Sequence, residues 1–230
     1  MKKLLMIIAM GSILILGTTA FALTLDEARA NIDKQATEKK LDAKDHSQAT
    51  ATLQGLVAKG VPVEHAYRVV DAAINQGMKG KDLSEVARSI EAAGGARNDA
   101  AVVAADAIQH KYSARETVRM TNTFGKTVAA GAPADKTSQV MSNGINKGVQ
   151  AGRITAATNA YAGEIKSGTP PDKAAENALR TMDRDRTMQH DPDRTRDRDH
   201  MGSGSGMDHG MDHGSGMGSG AGPGMGGSKR

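Results

Sequence analysis

The stretch GVPVEHAYRVVDAAINQG, residues 60–77, determines how the middle of this chain folds. Its apolar residues recur three or four positions apart, the spacing of one face of an α-helix; they are Val63, Ala66, Tyr67, Val70, Ala73 and Ile74. Gly60 and Pro62 precede this helix and Gly77 follows it. Glycine often ends a helix in a left-handed conformation, and proline is favoured in a helix's first turn. The stretch therefore predicts one helix with a marked beginning and end.

The same punctuation recurs 71 positions later without a gap, and again at residues 168–170 as Gly-Thr-Pro. The shift superposes these pairs: Gly60 on Gly131, Pro62 on Pro133, Val69 on Val140, Ile74 on Ile145 and Gly77 on Gly148. With about 35 residues per helix pair, the pattern is typical of helical-hairpin repeats, although it lacks the tetratricopeptide and ankyrin motifs. Chance similarity among Ala- and Gly-rich helices is the alternative.

Capping residues predict where several other helices begin. Thr24 with Glu27, and Ser113 with Glu116, have the spacing of capping boxes. In a capping box each of the two side chains accepts a hydrogen bond from the other residue's backbone N–H. Asp82 is predicted to cap a further helix in the middle of the chain.

Apolar stripes of helical spacing continue to Met182, and no stretch alternates with period two. The polar stretch from Lys34 to His46 is the exception and is expected to fray. We therefore predict an all-α fold for residues 23–182. It would consist of tandem helical hairpins, forming either a short α-solenoid or a compact bundle, followed by a disordered tail.

The first 22 residues have the three regions of a secretory signal peptide. Lys2 and Lys3 supply positive charge, Leu4 to Leu16 is apolar, and Ala20-Phe21-Ala22 is a small-x-small cleavage site. A membrane anchor is the competing interpretation, but the apolar run is shorter than the roughly 20 residues that span a bilayer. We expect a mature chain that starts at Leu23, is periplasmic or secreted, and has no membrane span.

Composition narrows the classes of function. The chain has no Cys, which excludes disulfides, thiolate metal sites and c-type haem attachment. Its formal net charge is +4, a small excess rather than a basic field, which argues against nucleic acid as a partner. Glu64-His65 is not a metalloprotease motif, because position 69 is Val rather than a second His. With no catalytic triad or phosphate-binding loop recognisable either, we expect no enzyme.

Isolated His and aromatic residues of the helical part are interpreted as structural. His65 is expected on an exposed helix face, and His110 at a helix C-terminus, where the dipole favours positive charge. The aromatic side chains are spread about one per helix or hairpin and are interpreted as packing anchors: Tyr67, Tyr112, Phe124 and Tyr161.

Composition changes after Met182. Residues 183–200 alternate Arg and Asp, and residues 201–230 are rich in Gly and Ser, so a disordered linker and tail are expected. Yet seven of the 13 Met and four of the seven His lie from Met182 onward. A solvated linker has no packing use for Met, so this clustering indicates another role.

Two adjacent four-residue units of the tail combine thioether and imidazole side chains: Met207-Asp208-His209-Gly210 and Met211-Asp212-His213-Gly214. Thioether sulfur selects Cu(I), and imidazole suits Cu(II), Ni(II) and Zn(II). The tail resembles the Met/His-rich segments of periplasmic copper-resistance proteins, in which Met-Asp-His units recur. The resemblance covers about 30 residues. It implies these metal ligands: His200, Met201, Met207, His209, Met211, His213 and Met217.

Two functions are therefore predicted, and they differ in which half of the chain carries the activity. In the first, the tail binds copper ions for buffering, resistance or delivery, with no tightly bound cofactor. In the second, the helical hairpins are a scaffold that binds another periplasmic protein or an envelope component. The tail would then be low-complexity sequence without a role of its own.

Overall fold

The computed structural model describes residues 23–189, with side chains as far as residue 184, and this range is helical without strands. The all-α prediction is thereby confirmed. A 3₁₀ turn at Gly94–Ala96 precedes α5. The α-helices of the described range are α1 Leu25–Glu38, α2 Ala43–Ala58, α3 Val63–Asn75, α4 Gly80–Glu91, α5 Arg97–Gln109, α6 Ala114–Ala129, α7 Ala134–Asn146, α8 Ala151–Lys166 and α9 Pro171–Gln189.

These helices stack in two layers. Each odd-numbered helix packs on the next odd-numbered one, from α1 to α9, and the even-numbered helices α2 to α8 do the same. Successive helices join the layers as hairpins, such as α2 with α3 and α8 with α9. Within the described range, extensive contacts link only helices that are neighbours or next-but-one along the chain. This is the stacking of a short α-solenoid rather than a bundle around one central core.

Every connection between consecutive described helices contains one residue in the left-handed backbone conformation. Six of these eight residues are glycines, such as Gly60 with φ 88°, and the other two are Lys40 and Lys111. In seven connections the next N–H donates to the carbonyl five residues earlier, as Val61 does to Leu56 at 3.0 Å. This is the Schellman motif, which satisfies carbonyls at the helix end and turns the chain into the other layer.

The left-handed residues also explain the repeat. They lie 17 or 20 residues apart, so that one helix pair takes 34 or 37 residues. One pair of each length makes the shift of 71 that superposes Gly60 on Gly131 and Lys40 on Lys111. The sequence repeat is therefore two hairpins long, and the single hairpin has nearly the predicted length.

The core is built from small and β-branched side chains. α5 packs on α3, α4, α6 and α7 and buries eight of its 13 residues, five of them Ala. Gly144 in α7 shows how closely the helices approach: a Cβ there would lie 2.8 Å from the Met182 sulfur and 2.9 Å from the Ile154 side chain. α7 therefore meets α8 and α9 only because residue 144 has no side chain.

Both predicted capping boxes are present. The Glu27 N–H donates to the Thr24 hydroxyl at 3.3 Å, and the Thr24 N–H donates to the Glu27 carboxylate at 2.9 Å. Ser113 and Glu116 form the same pair of bonds at the same two distances. These hydrogen bonds to the ionised form hold the pKa of both glutamates below its ordinary value.

The predicted cap of α4 is wrong. The helix begins at Gly80 rather than after Asp82, and its N-cap residue Lys79 makes no side-chain cap. Instead, the Gly80 N–H donates at 2.8 Å to the carboxylate of Asp45, which belongs to α2. This bond is the main reason why the pKa of Asp45 is lowered. The cap is supplied by the neighbouring helix of the same layer, so the local sequence around residue 80 does not contain it.

The stretch from Lys34 to His46 is not frayed as expected. It contains the end of α1, a short connection and the beginning of α2. The His46 Nε2 lies 2.7 Å from the Asp33 carboxylate, which joins these two helices. The expectation was wrong because the stretch has few apolar residues of its own but pairs its polar side chains across the hairpin.

The last helix is longer than predicted. α9 continues to Gln189, past the predicted end of the helical domain at Met182. Lys147 of α7 donates to the Asp183 carboxylate at 2.6 Å, which fixes the first residue of the Arg/Asp segment on the domain. Opposite charges three or four positions apart also favour a helix, so the composition of this segment does not mark the boundary.

Candidate functional site

All of the predicted metal ligands lie outside the described residues, which end at Gln189. This holds for His200, Met201, Met207, His209, Met211, His213 and Met217, and their role stays a prediction. The disordered linker and tail predicted for residues 183–230 also lie outside the described range from residue 190 onward.

The three histidines of the helical domain lie on different helices and are not brought together. His46 pairs with Asp33, and the His110 Nδ1 lies 2.9 Å from the Asp106 carbonyl at the C-terminal end of α5, where it was predicted. His65 is half-buried rather than exposed, and its Nδ1 is buried without a hydrogen-bond partner. Within residues 23–189, no group of three or more His, Cys, Asp or Glu side chains is arranged to hold a metal ion.

A row of polar side chains crosses the odd-numbered layer at equivalent positions of α1, α3, α5 and α7. We call it the polar ladder, and its members are Gln35, Asp71, Asp106 and Ser142. The Gln35 amide donates to the Asp71 carboxylate, and the Ser142 hydroxyl donates to the Asp106 carboxylate at 2.6 Å. Arg68 of α3 joins the middle of the ladder by donating to Asp106 at 2.6 Å.

Asp106 is the most confined charge of the ladder, because only 7% of its surface is exposed. Each of its two carboxylate oxygens accepts one of these bonds, from Arg68 and from Ser142, which meets the requirement that a buried charge be paired and hydrogen-bonded. The arrangement links three consecutive helices of one layer. Its chemistry is that of a structural tie, because Arg68 and Ser142 occupy the carboxylate.

The aromatic side chains act as the predicted packing anchors. Phe124 and Tyr161 are fully buried, whereas Tyr67 and Tyr112 are half-buried and keep their hydroxyls at polar partners. The Tyr112 hydroxyl donates to the Val149 carbonyl at 2.5 Å and so joins equivalent connections of successive hairpins. Burial is the largest cause of the raised pKa of Tyr67, Tyr112 and Tyr161.

The even-numbered layer is more open than the odd-numbered one. A cleft of about 240 Å³ lies between α4 and α6, and its lining includes Ser89, Ala93, Asn122, Gly125 and Lys126. A second cleft of about 530 Å³ adjoins it where α4 ends and the 3₁₀ turn begins. Small side chains form most of both linings, so the clefts offer surface rather than reactive groups.

Sequence analysis missed the polar ladder, although a signal for it was present. The shift of 71 residues that aligns the glycines also places Gln35 on Asp106 and Asp71 on Ser142. Polar residues that recur at the same point of a helical repeat are candidates for bonds between successive repeats. Only the spatial neighbours reveal that Arg68 completes the pairing.

No described helix is both long enough and apolar enough to cross a lipid bilayer. The comparisons with known proteins found no matching family model, no matching curated protein and no matching solved structure.

Proposed function

We propose that this chain is an exported metal-handling protein, in which the helical domain carries a C-terminal tail that captures copper ions. The observation that supports the proposal is the concentration of Met and His after Met182, above all the two adjacent Met-Asp-His-Gly units. Thioether and imidazole ligands on a Gly-rich chain can bind Cu(I) and Cu(II) without a preformed cavity.

The cell experiment compares copper tolerance of a strain that lacks the protein with strains that carry defined variants. One variant replaces Met207, His209, Met211 and His213 with Ser. Its control replaces serines of the same tail with Ala, at Ser203, Ser205, Ser215 and Ser219. We expect the control to restore tolerance and the ligand variant to fail. Equal restoration by both variants would argue against a copper role for the tail.

Export is tested on the same strains. The N-terminal residues of the protein recovered from the periplasmic fraction or the medium should begin at Leu23, because the sequence before it has the features of a cleavable signal. Recovery of a chain that still begins at Met1 would contradict the proposal.

The second candidate function is a binding scaffold, and the stacked hairpins favour it. A two-layer array exposes one face of each helix, which is how solenoid proteins present extended surfaces to other proteins. A partner of this kind would bind equally well to the wild-type chain and to the tail variant that lacks four metal ligands. Loss of the partner with the tail variant would assign the binding to the tail instead.

A further inference from the structure

The exposed face of α6 carries a row of three positive side chains. Arg115, Arg119, Asn122 and Lys126 follow one another at helical spacing and are all exposed. We call these four residues the basic row. The acidic residue of α6, Glu116, is engaged in the capping box with Ser113. The face that α6 presents to solvent is therefore positively charged along its length.

Packing within the described domain does not explain these charges. Arg115, Arg119 and Lys126 form no ion pair with any described residue, unlike cations of the odd layer such as Lys136 and Lys147. Arg115 stands in the first turn of α6, where the helix dipole disfavours a positive side chain. Lys126 in the last turn suits the dipole, and Arg119 helps to lower the pKa of Glu116. Two of the three positions thus gain little from the helix itself.

The basic row borders the cleft between α4 and α6. Gly125 brings α6 close to the end of α4: a Cβ on it would lie 3.3 Å from the Ala93 Cα. Within the described range, no side-chain hydrogen bond spans this cleft, in contrast to the bonds of the polar ladder. Arg88 stands on the α4 side, together with Glu85, and Asn122 lies between the two helices. The cleft thus combines a floor of small residues with mainly positive rims.

We propose that the basic row and this cleft bind an acidic segment of another protein. From Arg115 to Lys126 the row extends about 16 Å at ~1.5 Å per residue, so it matches an elongated ligand with several carboxylates. A small anion would contact only part of it. A membrane surface is disfavoured, because amphipathic helices that bind membranes insert large apolar side chains, and this face offers only the half-buried Val118 and Ala129. Charge complementarity of this kind fixes orientation and accelerates association.

The proposal goes beyond copper capture and does not depend on it. The test uses the full mature chain without copper and a fluorescent peptide of about 15 residues, rich in Glu and Ala, which is long enough to span the row. Binding is measured by fluorescence anisotropy, and vesicles of phosphatidylglycerol and phosphatidylcholine serve as the competing probe. One variant carries Arg115→Gln, Arg119→Gln and Lys126→Gln. The matched control carries Lys39→Gln, Lys59→Gln and Lys173→Gln, which removes the same charge from exposed positions elsewhere.

We expect the wild type and the control to bind the acidic peptide with affinities that agree within about twofold, and the α6 variant to bind about tenfold more weakly. Added salt should weaken binding, and a peptide with Lys in place of Glu should not bind. Equal losses in both triple variants would show non-specific attraction and overturn the proposal. Binding to the vesicles but not to the peptide would overturn it as well, as would no binding at all. Circular dichroism verifies that both variants keep the wild-type helicity.

Discussion

Lys40 and Lys111 occupy backbone positions that favour glycine, with φ of 54° and 64°. A side chain in the left-handed conformation costs about 1–2 kcal/mol, because the Cβ crowds the following carbonyl. Glycine avoids this cost but loses about 0.5–1 kcal/mol through the freedom of its unfolded state. These two lysines therefore mark places where the helical stack is less stable than its geometry allows.

We predict that Lys40→Gly raises the free energy of unfolding by about 0.5–1 kcal/mol, the difference between these two effects. Urea denaturation followed by circular dichroism measures it. The matched control is Lys39→Gly at the preceding residue, whose φ is −89°. This control should lower the stability, and a gain as large as that of Lys40→Gly would refute the left-handed assignment.

Asp106 carries the second prediction at this scale. Asp106→Ala removes the acceptor of both Arg68 and Ser142, so we expect a loss of about 1–3 kcal/mol in the free energy of unfolding. Gln109→Ala is the control, because Gln109 also accepts from Arg68 but is exposed. The control should change stability by less than about 0.5 kcal/mol. Equal effects of the two substitutions would show that the polar ladder does not tie the helices together.

At the scale of the helix, α4 shows that a cap can come from outside the element. Asp45→Ala should leave the buried N–H of Gly80 without its acceptor and cost about 1 kcal/mol at neutral pH. The control, Asp82→Ala, tests the cap that the local sequence indicates, and should cost only a few tenths of a kcal/mol through the helix dipole. A larger loss for Asp82→Ala would restore the local cap.

The contribution of Asp45 depends on pH in a defined direction. Its pKa in the folded chain is lowered from the ordinary value of 3.8, chiefly by the bond from Gly80. The stabilisation is therefore present above that value and is lost as the pH falls through the lower folded pKa. The stability difference between wild type and Asp45→Ala should shrink when the urea titration is repeated at about pH 3.

The contact of α7 with α8 and α9 rests on a missing side chain. Gly144→Ala would place a Cβ 2.8 Å from the Met182 sulfur, so we expect it to destabilise the chain by about 1–3 kcal/mol. Gly163→Ala in α8 meets no atom within 4 Å and should be neutral or stabilise by up to about 1 kcal/mol. Thermal unfolding of the two variants compares them directly. A neutral Gly144→Ala would mean that the helices pack less closely there.

At the scale of the whole molecule, the sequence predicted the elements that depend on local patterns. The glycines at the helix ends, the apolar stripes and the capping boxes are all read within a few residues, and each predicted its helix. The start of α4 was missed because Asp45 lies 35 positions before Gly80. The end of α9 was missed because paired Arg and Asp residues suit both a helix and a solvated chain.

Functional surfaces were harder to predict than helices. The polar ladder and the cleft beside α6 exist only where successive hairpins meet, so they depend on the stacking order rather than on any local motif. The Met and His residues of the tail are the opposite case. Their chemistry is evident from composition alone, and the helical domain supplies no contact that bears on it.

The central claim, copper capture by the tail, is tested most directly by a competitive Cu(I) and Cu(II) titration of the mature chain. The chain is titrated beside two variants: Met207, His209, Met211 and His213 replaced with Ser, and the domain histidines His46, His65 and His110 replaced with Gln. A truncation for the same purpose should end after Gln189, because Met182 is buried and Asp183 is paired.

The account predicts stoichiometric copper binding by the wild type and the domain-histidine variant, and a loss of at least about tenfold in affinity when the four tail ligands are absent. Binding that survives in the tail variant and disappears in the domain-histidine variant would contradict it and place any metal site in the helical stack.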